Sequence, residues 1–148
     1  MRLGSAILVV VSAAMLAGCG GGEHASWEGP PRPLPTDGTL PVDGFADYLD
    51  AVDEPWETSM VGVATAYVQP LIGAAGDVRS AFPANDPEGN GTVIVTLGRL
   101  FDDSVREVRY VLRLEQRDDG SWRPVEASWK QRCHERRGHQ ALSPEPCL

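Results

Sequence analysis

The hydrophobic period of this chain changes near residue 92, and that change constrains the fold more than any other feature. From Thr92 to Leu100 apolar and polar residues alternate, with Val93, Val95 and Leu97 on one side. From Val105 to Gln116 the alternation repeats. Val108, Tyr110, Leu112 and Leu114 point one way, and Glu107, Arg109, Arg113 and Glu115 the other. From Ser121 to Cys133 it returns, with Val125, Ala127 and Trp129 inward and Glu126, Ser128, Lys130 and Arg132 outward. Period-two alternation marks a strand with one buried face. Three such runs in sequence predict an antiparallel meander.

The last two runs also predict their register. Asp119-Gly120 is a two-residue hairpin signal. A loop of those two residues sets Leu114 opposite Val125, Leu112 opposite Ala127 and Tyr110 opposite Trp129. It also sets Arg113 opposite Glu126 and Glu107 opposite Arg132, which are favourable charge pairs. Arg109 opposite Lys130 is the one unfavourable pair. A slip of one residue would mix apolar and charged faces. Pro124 cannot donate to a ladder, which predicts an edge position or an outward-facing amide there.

Before the meander the period is helical. Phe45, Tyr48, Leu49 and Val52 share one face of a segment opening at Asp43, which is expected to cap it, and Pro55 stops it. Met60, Val63, Ala64, Tyr67 and Val68 share a face of a second segment, Ser59 to Gln69, which ends at Pro70. A short helical turn is expected over 77–82 and an exposed loop over 83–91. The expected class is α+β, with N-terminal helices packed on an antiparallel meander of three or more strands. This order of elements, over residues 43–133, resembles small NTF2-like and cystatin-like domains. That resemblance implies a cavity under the sheet, suited to a small molecule.

Residues 1–18 read as a secretory leader. Arg2 precedes an apolar run, Leu3 to Met15, which is too short for a spanning helix of about 20 residues. Leu16-Ala17-Gly18-Cys19 follows directly and resembles the lipobox of bacterial lipoproteins. The resemblance implies cleavage before Cys19, acylation of its sulfur with a diacylglyceryl group and palmitate-type chains, and a domain tethered to a bilayer. The address is the extracytoplasmic face of the cell membrane, or the outer membrane in a double-membrane bacterium. Residues 19–41 are rich in Gly and Pro and are expected to form a tether that leaves Trp27 outside the domain. The domain then spans 42–148.

The full chain carries 13 basic and 21 acidic residues, a net charge of −8. Loss of Arg2 with the leader makes it −9, an acidic balance that argues against nucleic-acid binding. Three cysteines are present, and acylation of Cys19 leaves Cys133 and Cys147 as a pair. Outside the cytoplasm a Cys133–Cys147 disulfide is expected, closing a tail loop and stabilising it by about 3 kcal/mol. A zinc site from Cys133, His134, His139 and Cys147 is the competing reading, and its spacing matches no known finger. Arg136, Arg137 and His139 form a candidate patch for an acidic ligand.

Catalytic motifs are lacking: there is no nucleophile elbow, phosphate-binding glycine loop or zinc-protease helix. No cofactor motif is present either. Asp47, Asp50 and Asp53 step along the first helix as a solvated face. The leading expectation is a non-enzymatic, membrane-anchored module that meets an envelope protein. The alternative is an NTF2-like small-molecule binding or enzyme domain.

Overall fold

The computed structural model describes residues 25–72, 77–85, 90–100 and 102–148. Cys19 and the leader lie outside the described residues. The fold is mixed α+β, with two α-helices and a five-stranded antiparallel sheet. Strand β1 is Thr39–Leu40 and is followed by helices α1, Asp43–Ala51, and α2, Met60–Val68. Strands β2, Asp77–Asn85, β3, Gly91–Gly98, β4, Val105–Gln116, and β5, Trp122–Cys133, form a meander. The order across the sheet is β1-β5-β4-β3-β2. Because β1 precedes the helices and joins the far edge of the sheet, the helices are not an N-terminal layer ahead of all strands.

Helix α1 buries Phe45, Ala46 and Leu49. Asp43 is its first residue rather than its cap. Val42 holds the cap position with no side-chain bond, so Asp43 acts through its charge at the positive end of the helix. Helix α2 is capped by Ser59, whose hydroxyl accepts from the Gly62 amide at 3.2 Å. Val63, Ala64, Tyr67 and Val68 are fully buried, and Pro70 enters a 3-10 turn, Gln69–Leu71, that closes the helix. These side chains join Val93, Val95, Leu97, Tyr110, Leu112, Leu114, Ala127 and Trp129 in one core.

Near its turn the β4–β5 register contains two departures that cancel, and a further shift lies at the far end between Val105 and Glu107. The hairpin loop has three residues, 118–120, closed by a hydrogen bond from the Arg117 amide to the Ser121 carbonyl at 2.8 Å. Gly120 takes φ +87°, the left-handed position such loops require. The longer loop sets Leu114 opposite Pro124, and an irregularity then skips Val125. Beyond it, Arg113↔Glu126, Leu112↔Ala127, Tyr110↔Trp129 and Glu107↔Arg132 pair as expected. Pro124, not Val125, therefore fills the buried place. Arg109 does stand opposite Lys130, but its guanidinium turns along β4 to Glu107, 3.2 Å away.

Residues 77–82 form a strand rather than a helical turn, and β2 runs on through Pro83. The reason lies in its position: β2 is an edge strand paired only with β3, where proline is tolerated. Phe82 on this edge is 67% exposed.

The largest correction concerns residues 25–41. Expected as a tether, the part from Trp27 onward packs on the domain. The Trp27 indole N–H donates to the Tyr67 carbonyl at 2.7 Å, and its ring lies 5.2 Å from Phe45 and 5.3 Å from Tyr67. The Trp129 indole N–H donates to the Pro35 carbonyl at 2.8 Å. Gly38, at φ +79°, turns the arm, and its carbonyl accepts from the Trp129 amide at 2.8 Å. Leu40, buried, then pairs with Ala127. Composition hid this because proline and glycine favour both free linkers and snug extended arms; the apolar anchors Trp27, Leu34 and Leu40 distinguish them.

Trp27→Ala should cost about 2 kcal/mol or more in denaturant unfolding; a loss below about 0.5 kcal/mol, typical of surface sites, would contradict the packing of this arm. Leu112→Asp places a carboxylate in the fully buried centre of the sheet. That variant should lose its near-ultraviolet circular dichroism, whereas a native spectrum would overturn the assigned inward face.

Candidate functional site

The arm does more than close the core. Arg32, Pro33 and Leu34 pass over the end of the sheet beside Leu71, and Leu100, Asp102 and Val105 border the same space from the β3–β4 connection. Between them lies a cavity of about 470 Å³ whose floor is Val108, Tyr110 and Gln131. That size is in the range of small-ligand sites. Leu34, Val108 and Leu100 pack partly buried against the core, so the walls are apolar and close-packed from behind.

Tyr110 gives the cavity its chemistry. The residue is 2% exposed and borders the cavity, and its hydroxyl makes no hydrogen bond to another described residue. Burial pushes the phenol up to about 12, with the nearby Arg32 guanidinium pulling in the opposite direction. The hydroxyl therefore stays protonated at neutral pH and is available as a donor. Tyr67 is the contrast. Equally buried, its hydroxyl donates to the Pro41 carbonyl at 2.8 Å and is satisfied inside the protein.

The mouth carries two charges. Arg32 is exposed, with one guanidinium nitrogen 3.1 Å from the Pro70 carbonyl. Asp102 accepts from the Ser104 hydroxyl at 2.6 Å and the Ser104 amide at 2.8 Å. The Ser104 hydroxyl first, then its amide, hold this carboxyl below the usual range.

A second hollow, about 530 Å³, lies among Trp27, Tyr48, Trp56 and the outer side of α2. Its indole donor at Trp27 is already spent on Tyr67. A third runs along acidic residues of α1 and the following turn, where Asp50 is bound by Arg117 and lies 3.5 Å from Arg123. The Arg117 hydrogen bond holds the Asp50 carboxyl low and ties α1 to the β4–β5 hairpin. Asp50 is thus a structural anchor rather than part of a purely solvated face.

The residues singled out from the sequence lie elsewhere. Cys133 and Cys147 are disulfide-bonded with Cα atoms 5.5 Å apart, closing a 14-residue separation. Arg137 donates to Asp103 at 2.9 Å, and its carbonyl accepts from the Leu148 amide at 2.7 Å. His139 has Nδ1 2.7 Å from the Ala141 carbonyl and Nε2 2.9 Å from the Glu145 carbonyl. Arg137 and His139 thus bind the tail to itself and to the β3–β4 turn, and neither they nor Arg136 borders the Tyr110 cavity. Cys133, His139 and Cys147 do cluster, their ligand atoms within 4.8 Å of one another, and His134 stands outside that group. With the sulfurs bonded to each other, no thiolate remains to hold zinc. Sequence reasoning missed Arg32 and Leu34 because they sat in the supposed tether. Tyr110 carried a signal that went unused: a phenol on an apolar face needs a partner.

Comparison with known protein families, with curated proteins and with solved structures finds no match for this chain.

Both ring nitrogens of His139 can donate only as imidazolium. The Glu145 carbonyl, then that of Ala141, raise its pKa above the ordinary 6.5. A folded pKa above the unfolded one gives stability that is complete below the unfolded value and fades as pH rises through the folded one. Thermal stability should fall across that window in the wild type, and His139→Gln should flatten the fall; an unchanged slope in the variant would show that this ring does not clasp the loop.

Proposed function

We propose that this chain is an extracytoplasmic lipoprotein, held to a bilayer through acylated Cys19, whose domain is a non-catalytic ligand-binding module. The observation that carries the binding half is Tyr110, a protonated phenol that borders a 470 Å³ cavity and makes no hydrogen bond from its hydroxyl to another described residue. A ligand acceptor placed at that hydroxyl would make a hydrogen bond in a site largely removed from water. The anchoring half rests on the leader and on Leu16-Ala17-Gly18-Cys19. Among the described residues no helix is long and apolar enough to cross a membrane. Attachment is assigned to the acyl chains on Cys19, which hold stably when two or more are present.

The core that joins α2 to β3 and β4 supports the finer fold reading, in which helices cover a curved sheet as in NTF2-like or cystatin-like domains. A second reading, an envelope protein as partner, is favoured by one feature, the exposed Phe82 on the open edge of β2. The cavity is the stronger support because it is bordered by three separate segments and offers a donor held in position by the sheet.

The anchor is tested by growing cells that express the full chain with an alkyne analogue of palmitate. Wild type should take up label and sediment with membranes; Cys19→Ala should lose both. Label that persists in the variant would remove the lipoprotein assignment.

A further inference from the structure

We infer that the cavity at Tyr110 takes an amphiphile with an apolar tail and a singly charged anionic head, such as a carboxylate. This rests on the ligand-binding reading of the same cavity and adds the chemical class of the occupant.

Three observations lead there. The walls offered to a ligand are aliphatic: Leu34, Leu71, Leu100, Val105 and Val108. They can remove a hydrocarbon chain from water but offer it no polar partner. Two of the polar groups that border the space are donors; the others are Asp102 at the mouth and Gln131, whose amide N–H is spent on the Glu145 carbonyl at 2.7 Å. Tyr110 presents an O–H from the floor, and Arg32 presents a guanidinium at the mouth, close enough to act on the Tyr110 hydroxyl electrostatically. A head that accepts from both must bring lone pairs, and a negative charge turns the Arg32 contact into a charge-assisted one. Beside Tyr110 the charge that acts on the hydroxyl is the Arg32 guanidinium, which disfavours a cationic head seated there, although Asp102 at the mouth could pair with one.

The third observation limits the charge. Asp102 stands at the same mouth, ionised and held by Ser104. It repels a second negative charge, so a monoanion is preferred to a dianionic phosphate. The rest of the surface is acidic, with a net charge of −8 for the whole chain. Arg32 is then a local positive spot in a negative field, which orients an approaching head toward the mouth.

The site also explains why the arm is fixed at both ends. Trp27 anchors it before Arg32, and Pro35 anchors it after Leu34 through Trp129. A wall on a free tether would pay ordering entropy on binding, whereas a wall already stapled to the core does not.

The full chain in phospholipid nanodiscs is titrated with octanoate, octan-1-ol and octyltrimethylammonium, with empty nanodiscs as the background. Octanoate should bind more tightly than the alcohol, and the ammonium least. Arg32→Gln, a change at an exposed position, should weaken octanoate about tenfold and octan-1-ol by a much smaller factor. Tyr110→Phe should weaken both by a few-fold, and Leu34→Trp, which fills the cavity, should abolish both. Comparable binding of all three heads, with Arg32→Gln indistinguishable from wild type, would overturn the anionic class and leave the cavity as a ligand site. Absence of binding by every probe would overturn the ligand site itself. Binding that survives Leu34→Trp would place the probes elsewhere and overturn both.

Discussion

The hydrogen bond from the Trp27 indole to the Tyr67 carbonyl decides how much of this chain is domain. Tyr67 lies on α2, whose other inward residues are fully buried in the common core. By reaching the last turn of that helix, Trp27 draws the Pro-rich arm onto the protein forty residues upstream of its contact. The three rings of Trp27, Phe45 and Tyr67 then lie within 5.3 Å of one another by centroid, and Phe45 meets Tyr67 edge-on at 85°. Everything the arm contributes afterwards depends on this start: the wall at Arg32–Leu34, the turn at Gly38 and the short strand β1 against β5.

Strand β5 is the element on which both ends of the domain converge. Its middle pairs with β4 on one side and with β1 on the other. Its Trp129 side chain holds the arm, and its Gln131 holds the tail through the Ser143 backbone and the Glu145 carbonyl. Cys133 at its end carries the disulfide. A small acidic domain thus gains order at its termini from directional bonds to one strand, beside the hydrophobic core supplied by α2 and the sheet. The cavity lies where arm, sheet and β3–β4 connection meet, so its shape is set by these same attachments.

Alternation made β3, β4 and β5 readable, because one buried face fixes every second residue. The hairpin shows how far that goes. Asp119-Gly120 marked the turn but not its length, and the extra loop residue was cancelled at Val125, so the central pairs from Arg113↔Glu126 through Glu107↔Arg132 came out in register. Strand β2 was not readable. Its sequence, Asp77 to Asn85, has little alternation and contains a proline, and only the edge position makes it a strand. The arm was misread because Gly and Pro report backbone stiffness, not contact. Tyr110 was correctly placed inward, yet a phenol in line with Leu112 and Leu114 looks like core until the space beside its hydroxyl is known. The pairing of Cys133 with Cys147 followed from counting cysteines, whereas the structural duties of Arg137 and His139 required the geometry of the tail.

The account turns on the arm being part of the folded domain, and hydrogen exchange at two indole N–H groups tests this most directly. By NMR, the Nε1 protons of Trp27 and Trp129 should exchange slowly, protected by their bonds to the Tyr67 and Pro35 carbonyls, while an exposed indole exchanges at its free rate. Slow exchange at both would establish the arm as a wall of the cavity. Free exchange at Trp27 and Trp129 would make residues 27–40 a tether after all and remove the wall that Arg32 and Leu34 provide.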